Sequence, residues 1–228
     1  MTGAAVFGAF TVPAAAFAGG LSVAVLVWLG ARRSGQSAVV DLVLVGVALN
    51  LAAAAVTGIA VSAANSQQLQ SITFWSLGSV AGATWQIDAS IVPFILVGTV
   101  GLTVLAPRLN VLALGDREAR HLGVRVERVR FAVIALAALA TGAAVAVAGV
   151  ISFVGLVVPH LVRLVIGPDN RGVLPGSILG GAVLLMLADL AARTVASPVE
   201  LPLGAITALI GAPYLFWLVR RRGRGHDR

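Results

Sequence analysis

The side chains that could perform chemistry are few in this chain of 228 residues. The three histidines, His121, His160 and His226, have no metal-ligand spacing, and the sequence contains no H-E-x-x-H motif. There is no cysteine, which excludes thiol nucleophiles, disulfides and thiolate metal sites. There is also no lysine, so a G-x-x-x-x-G-K-S/T phosphate loop cannot form, and any ATP hydrolysis must occur on another polypeptide. The residues therefore predict neither a metal site nor a cofactor, and they argue against an enzyme.

One serine is compatible with catalysis inside a membrane. Gly20-Leu-Ser22 superficially resembles the nucleophile region of an intramembrane serine protease, for which His160 could act as the base. Gly-x-Ser is common in glycine-rich helices, so close helix packing explains the same residues. An intramembrane serine hydrolase is therefore kept only as a minor alternative.

Charged and helix-disturbing residues interrupt the apolar segments at a few places. Asp189 and Arg193 are four residues apart, a spacing that places both on one helix face as an ion pair. A charge at membrane depth costs roughly 2.5 to 3.5 kcal/mol on insertion scales, so Arg163 should extend to the interface or face protein. The residues expected to kink helices or to play structural roles are Gly155, Pro159, His160, Arg163, Asp189, Gly211 and Pro213.

The elements that carry these residues are predicted membrane crossings. Hydrophobic residues make up 59% of the chain, charged residues make up 11%, and the mean hydropathy is +1.00. Because a helical crossing needs about 20 apolar residues, the long apolar blocks predict an all-α, polytopic transmembrane bundle. The run from Phe131 to Ile166 is too long for one crossing and is interpreted as a tight hairpin. Seven crossings are predicted, at roughly 12–30, 38–62, 90–107, 131–150, 151–166, 173–191 and 203–219.

The arginine distribution predicts the orientation of these crossings. Of the sixteen basic residues, all arginine, fifteen fall on one side of the membrane and Arg193 falls alone on the other. Positive residues mark the cytoplasmic side, so the 108–130 loop and the C-terminus should be cytoplasmic. The 65–89 segment, with Trp75 and Trp85, should be external and could hold a short interfacial helix. This topology explains the net charge of +7 without nucleic-acid binding, and it predicts a multi-pass protein of a cytoplasmic membrane, surrounded by lipids.

The connection that follows the third predicted crossing is the most informative segment. Gly115 should end the preceding helix, while Asp116 as N-cap and Gly123 as C-cap leave about two turns of helix between them. A helix this short is marginal alone in water and should rest on something. We expect a docking helix whose Ala119 and Leu122 enter a groove on a soluble partner, and an ordinary capped loop is the alternative.

Taken together, these segments resemble the FecCD family of ABC-importer permeases, whose members carry ferric siderophores, haem and vitamin B12. The order and approximate spacing of the matching motifs agree across nearly the whole chain, which is more specific than any single motif. The motifs are Ala113-Leu-Gly-Asp-Arg-Glu-Ala-Arg-His-Leu-Gly123, Ile151-Ser-Phe-Val-Gly-Leu-Val-Val-Pro-His-Leu-Val-Arg163, Gly167-Pro-Asp-Asn-Arg171, Leu174-Pro175, Gly180-Gly-Ala182, Ala188-Asp-Leu-Ala-Ala-Arg193, Leu201-Pro-Leu-Gly204 and Gly211-Ala-Pro213.

The resemblance implies a permease of the type II ABC importer class. Its expected partners are a second permease copy in a homo- or heterodimer, ATP-binding cassette ATPase subunits and an extracytoplasmic substrate-binding protein. Arg193 would meet a glutamate on the binding protein. Trp75-Ser-Leu-Gly78 is similar to the family's short tryptophan motif, which makes Trp75, Ser76 and Gly78 candidates for the translocation pathway. The helix that would receive ATPase motion contains Gly115, Asp116, Glu118, Ala119, Leu122 and Gly123.

The cargo implied by the resemblance is an iron-siderophore-type chelate, imported by alternating access. Siderophores are favoured over haem and vitamin B12 because they are the family's commonest cargo. An ion-coupled secondary carrier is the main rival, and it should have ionisable residues near mid-membrane. The four candidates, Asp41, Arg163, Asp189 and Arg193, all lie near the ends of predicted crossings, which argues against it.

The chain differs from the family pattern in its number of predicted crossings. Family members usually have ten crossings, and the seven predicted here match the fourth to the tenth. Residues 1–228 are therefore expected to form one permease domain that lacks the first three crossings, as a fragment, a misassigned start or one piece of a split permease.

Overall fold

The computed structural model describes residues 3–31, 38–195 and 201–223, and every regular element within these ranges is an α-helix. The predicted all-α class is confirmed. His226 and four of the arginines that predict the orientation, Arg32, Arg33, Arg224 and Arg228, lie outside the described residues. The described helices are α1 (Gly3–Ala31), α2 (Ala38–Ser62), α3 (Ser66–Leu77), α4 (Trp85–Leu112), α5 (Asp116–His121), α6 (Val126–Ala148), α7 (Val154–Ile166), α8 (Asn170–Thr194) and α9 (Leu203–Gly223).

Seven of these helices coincide with the predicted crossings. Among the described residues, α4, α6, α8 and the Val43–Ser62 part of α2 are long and apolar enough to cross a hydrocarbon core. The apolar parts of α1, α7 and α9 are shorter, at Ala15–Val27, Val154–Ile166 and Leu203–Tyr214. Large apolar side chains are exposed along the long helices, for example at Leu51 of α2, as is typical of a surface that meets lipid or another protein.

The long apolar run is broken at residues 149–153, between α6 and α7. Both Gly149 and Phe153 have a left-handed backbone, with φ of 68° at each. Gly155 and Pro159, which are expected from the sequence to kink or break a helix, both lie inside α7 and do not end it. Pro159 removes one intrahelical donor, the one that would bond to the carbonyl of Gly155, and the helix continues past it.

The chain divides into two compact units. The first comprises residues 1–73 and 84–147, and the second comprises residues 74–83 and 148–228. The second unit thus combines α7, α8 and α9 with a short segment that is distant from them in sequence.

In the first unit, small residues let α4 and α6 approach closely. A Cβ placed on Gly98 of α4 would lie 2.7 Å from the Cβ of Ala140 and 2.8 Å from the carbonyl oxygen of Leu136, both in α6. The rings of Phe17 in α1 and Phe94 in α4 pack with their centroids 5.2 Å apart. Contacts of this kind are the main source of helix association where lipid removes the hydrophobic driving force.

Side-chain caps fix the start of α3 and α4. The Asn65 side-chain oxygen accepts a hydrogen bond from the Gln68 amide at 2.9 Å, and the Gln68 side-chain oxygen accepts one from the Asn65 amide at 3.0 Å. Thr84 caps α4 by accepting from the amide of Ile87. These caps satisfy amides that a helix start otherwise leaves without a partner, and they stabilise a helix at Ser66–Leu77, inside the predicted external segment.

The second unit is built around three glycines, Gly78, Gly149 and Gly204, which we call the glycine junction. A Cβ on Gly149 would collide with the carbonyl oxygen of Trp75, and one on Gly78 would lie 2.7 Å from the carbonyl oxygen of Val150. These close approaches allow the 74–83 segment to bond to two others. The Ser79 amide donates to the Ala148 carbonyl at 2.9 Å, and the Leu203 amide donates to the Gly78 carbonyl at 3.1 Å.

Glycines also shape the packing of α7 against α8 and α9. A Cβ on Gly176 of α8 would lie 2.8 Å from a methyl carbon of Val162, and one on Gly180 would lie 3.1 Å from a methyl carbon of Val158. Gly211 of α9 leaves room for Phe153, whose Cβ lies 2.5 Å from where a Gly211 Cβ would be. The structural role expected for Gly211 is therefore to seat the left-handed Phe153.

We predict that Gly204→Ala destabilises the protein by roughly 1 to 3 kcal/mol, the usual cost of overpacking a tight site. The new methyl would collide with the carbonyl oxygen of Leu77 and lie 3.0 Å from that of Val150, and backbone atoms cannot move aside. The measurement is the thermal unfolding midpoint of the purified protein in detergent.

The matched control is Gly155→Ala, because nothing lies within 4 Å of the added methyl and alanine is a better helix former than glycine at this position in the first turn of α7. It should leave the midpoint unchanged or raise it. Equal midpoints for Gly204→Ala and the unmodified protein would contradict the assignment of the glycine junction.

Candidate functional site

The candidate coupling segment is α5 with the turns on either side of it. After α4, the amides of Leu114 and Gly115 donate to the carbonyls of Val111 and Leu112, which turns the chain. Gly115 then precedes α5 with φ of 111°, a conformation that a side chain would strain. At the other end, Gly123 has φ of 79° and the next amide donates back to the Ala119 carbonyl at 2.9 Å. The glycines on either side thus limit α5 to six residues.

Asp116 has a different role from the predicted N-cap. It is the first residue of α5, and Gly115 provides the cap position without a side-chain hydrogen bond. The two Asp116 carboxylate oxygens instead accept from one terminal nitrogen of Arg130, at 3.0 and 2.9 Å. Arg130 is mostly buried and also lies 3.6 Å from Glu127. The carboxylate therefore ties α5 to the first turns of α6.

Of the two residues predicted to dock into a partner, Ala119 and Leu122, the structure contradicts the first. Ala119 is 0% exposed, so it packs inside the first unit and cannot enter a groove on a partner. Leu122 is 64% exposed, as a docking residue should be, and Glu118 is exposed as well. Leu114, just before α5, is also 64% exposed. The apolar surface available to a partner is therefore formed by Leu114 and Leu122.

At the end of α8, the predicted ion pair is confirmed. Arg193 Nε donates to Asp189 Oδ2 at 2.9 Å, and the Arg193 side chain remains 49% exposed. The bond fixes the direction of the guanidinium and leaves its two terminal nitrogens to other acceptors. The site can therefore present a positioned cation to a carboxylate on another molecule.

The predicted pathway residues lie where α3 ends and the glycine junction begins. Trp75 and Ser76 occupy the last turn of α3 and are exposed, whereas Gly78 is buried. The Gly78 amide donates to the Trp75 carbonyl and its own carbonyl accepts from Leu203. Backbone contacts explain Gly78, so the exposed residues Trp75 and Ser76 are the remaining pathway candidates in this motif.

The motif residues of α7 have separate environments. Arg163 is exposed near the end of the helix, whereas His160 faces inward. The His160 ring meets the Tyr214 ring edge to face, with centroids 6.1 Å apart. Its Nε2 is buried without a hydrogen-bond partner among the described residues. Pro213 lies next to Tyr214 inside α9.

Ser22, the candidate nucleophile of the serine hydrolase alternative, forms a hydrogen bond within its own helix. Its hydroxyl donates to the Ala18 carbonyl at 2.8 Å, a local bond that is common for serine in membrane helices. This hydroxyl therefore has a structural explanation that requires no base.

Two contributors to the site were not found from the sequence. The positive-inside pattern explains Arg130 only as a charge, whereas in the structure it bonds to Asp116, fourteen residues away in sequence. Nothing in the sequence distinguishes Leu114 from the rest of its motif, and its exposure is seen only in the structure. A sequence signal for the Asp116–Arg130 pair does exist. An acidic residue begins the short predicted helix, and an arginine follows in the first turns of the next helix.

A family model described as the FecCD transport family matches residues 1–221. The hemin transport system permease protein HmuU of Yersinia pestis is 42% identical over 211 residues, which cover 91% of this chain and 62% of the relative. The cobalamin import system permease protein BtuC of Halobacterium salinarum is 42% identical over 208 residues, which cover 91% of this chain and 56% of the relative. The chain thus spans about three fifths of the length of these curated relatives.

A solved structure agrees with the fold. A chain described as a metal-chelate type ABC transporter in an inward-facing conformation superposes with a TM-score of 0.81 at 31% identity, covering 92% of this chain and 73% of that chain. The predicted similarity to ABC importer permeases is thereby confirmed at the level of fold, and the relatives are named as permeases, not as enzymes. With its series of apolar helices, the chain is a multi-pass membrane protein, and it belongs to the FecCD transport family.

Proposed function

We propose that this chain is the transmembrane permease subunit of an ABC importer. It moves a metal chelate across the cytoplasmic membrane, and a partner subunit hydrolyses the ATP. The observation that carries this proposal is the match to the FecCD transport family over residues 1–221. A chain without lysine has no phosphate-binding loop of the usual kind, which supports a separate ATPase subunit.

The surface around α5 supports contact with that ATPase. Leu114 and Leu122 expose apolar side chains on a segment that also carries several charges, and burial of one leucine contributes about 1.5 to 3 kcal/mol. Because Asp116 is bonded to Arg130, a displacement imposed on α5 passes directly to α6. The ion pair is thus the mechanical link between the ATPase and a membrane-spanning helix, as alternating access requires.

The outer end of α8 supports contact with a substrate-binding protein. Arg193 is exposed, is oriented by Asp189 and retains two terminal nitrogens for an incoming carboxylate. It is the lone arginine on the side of the membrane predicted to be external. A glutamate of the binding protein is the proposed acceptor.

The translocation pathway is proposed to lie between this chain and a second permease copy. Trp75 and Ser76 are its candidate lining residues, because both are exposed and both belong to the 65–89 segment predicted to be external. The cargo class is a metal chelate, which is supported by relatives named for hemin and cobalamin and by the metal-chelate type structure. An iron-siderophore-type chelate stays the specific prediction, with haem and vitamin B12 as alternatives. Binding of a ferric siderophore, hemin and cyanocobalamin by the partner binding protein discriminates among them.

We predict that two variants lose different partners in a co-purification assay. Leu122→Asp should lose the ATPase subunit, because it places a charge where an apolar contact is proposed, and it should keep the binding protein. Arg193→Glu should lose the binding protein through charge repulsion and keep the ATPase. The measurement is the amount of each partner that is retained by the detergent-solubilised chain.

Each variant serves as the control for the other, since both should fold and each should affect one side of the membrane. If the unmodified chain retained neither the ATPase subunit nor the binding protein, the result would contradict the permease proposal. Loss of both partners in both variants would indicate misfolding and contradict the assignment of separate surfaces.

We also predict an energetic coupling of roughly 1 kcal/mol between Asp116 and Arg130, the upper range for a partly exposed ion pair. It is measured by a double-mutant cycle of Asp116→Asn and Arg130→Gln on the thermal stability of the purified protein. The comparison cycle, Asp189→Asn with Arg193→Gln, should give only about 0.3 to 0.5 kcal/mol for an exposed helical pair. Additive effects at Asp116 and Arg130 would contradict the proposed mechanical link.

A further inference from the structure

A basic cleft lies where α4 ends and α6 begins, and neither Leu114 nor Leu122 lines it. Its volume is about 530 Å³. The cleft has a cationic part and an apolar part, and we call it the arginine cleft. Its defining residues are Arg108, Arg125 and Arg128, with Leu105, Val129 and Ala132.

The three arginines of the cleft have no acidic partner among the described residues. The ion pairs in this part of the chain join Asp116 and Glu127 to Arg130, which does not line the cleft. No carboxylate lines the cleft, and Glu127, which lines an adjoining cavity that shares Arg125 and Arg128, forms its ion pair with Arg130 at 3.6 Å. Three uncompensated guanidinium groups around one cavity favour an anion with several oxygens, because each guanidinium offers several N–H donors.

The apolar part of the cleft decides which anion fits best. Leu105 and Val129 are buried beside it, and Leu105 lies within the membrane-spanning helix α4, one turn from Arg108. A free phosphate ion gains nothing from an apolar wall. A phospholipid places its phosphate among the cations and its glycerol and first methylenes against the apolar residues, at the depth where headgroup and chain meet.

We propose that the arginine cleft binds the phosphate headgroup of an anionic phospholipid of the cytoplasmic leaflet. The inference rests on the proposed function for the cytoplasmic location of the 108–130 loop. Gly123 and Val124, which join α5 to α6, also line the cleft. The bound lipid therefore contacts the α5–α6 connection. It holds α5 in place in addition to the Asp116–Arg130 pair.

The test measures, by native mass spectrometry from detergent, how much phosphatidylglycerol and phosphatidylcholine the purified 228-residue chain retains. The unmodified chain should retain phosphatidylglycerol in preference. The variant in which Arg108, Arg125 and Arg128 are all changed to Gln should lose that preference, with about a fivefold weakening for each arginine removed. The matched control is Arg117→Gln on α5, which removes an exposed arginine that does not line the cleft and should keep the preference.

Further arms separate folding and other ligands from the proposal. Changing the three arginines to lysine should retain most of the preference, because the charges remain. Equal retention of phosphatidylglycerol by the Gln variant and the unmodified chain would overturn the proposal. Displacement of the lipid by millimolar inorganic phosphate would also overturn it, in favour of a free-anion site.

Loss of ATPase capture with unchanged lipid retention in the Gln variant would identify the cleft as a protein contact instead. Since no ATPase is present in the lipid measurement, its failure is distinct from failure of the permease proposal.

Discussion

The structure depends above all on satisfying backbone polar groups where helices stop inside a membrane protein. A buried amide or carbonyl that has no hydrogen-bond partner costs about 1 to 3 kcal/mol. In the second unit the chain leaves helical geometry near Gly78 and Gly149, and the backbone of each segment bonds to another segment: Ser79 to Ala148 and Leu203 to Gly78. Only glycine permits these approaches, because a Cβ would occupy the position of a carbonyl oxygen. The junction therefore fixes where α7 and α9 begin.

In the first unit a different interaction, between two side chains, fixes the short helix α5. There α5 is too short to be stable alone, and a charge pair holds it in place. Asp116 is bonded to the mostly buried Arg130, and Ala119 packs inward, which leaves Leu114 and Leu122 exposed. A rigidly attached short helix with an apolar surface is suited to pass on force from a partner. The adjacent arginine cleft extends this arrangement to the lipid surface.

Interactions within one helix could be predicted from the sequence, whereas those between helices could not. The seven apolar segments and the Asp189–Arg193 pair follow from local spacing, and α2 begins and ends at the predicted residues. The site of the break after α6 depends on the contact of Gly149 with Trp75, which no local pattern reveals. Likewise, burial of Ala119 and the bond from Arg130 arise because α5 packs on its own unit, so a capping pattern alone assigned Asp116 incorrectly.

The central claim, that α5 presents Leu122 to an ATPase subunit, can be tested directly because the chain contains no cysteine. A single Leu122→Cys substitution gives one thiol, and Trp85→Cys, 92% exposed and predicted to lie on the opposite side, gives the matched control. The measurement is thiol cross-linking of each variant to the ATPase subunit in membranes. The account predicts a cross-linked product from Leu122→Cys and none from Trp85→Cys. Absence of a product at Leu122, or equal products at both positions, would contradict it.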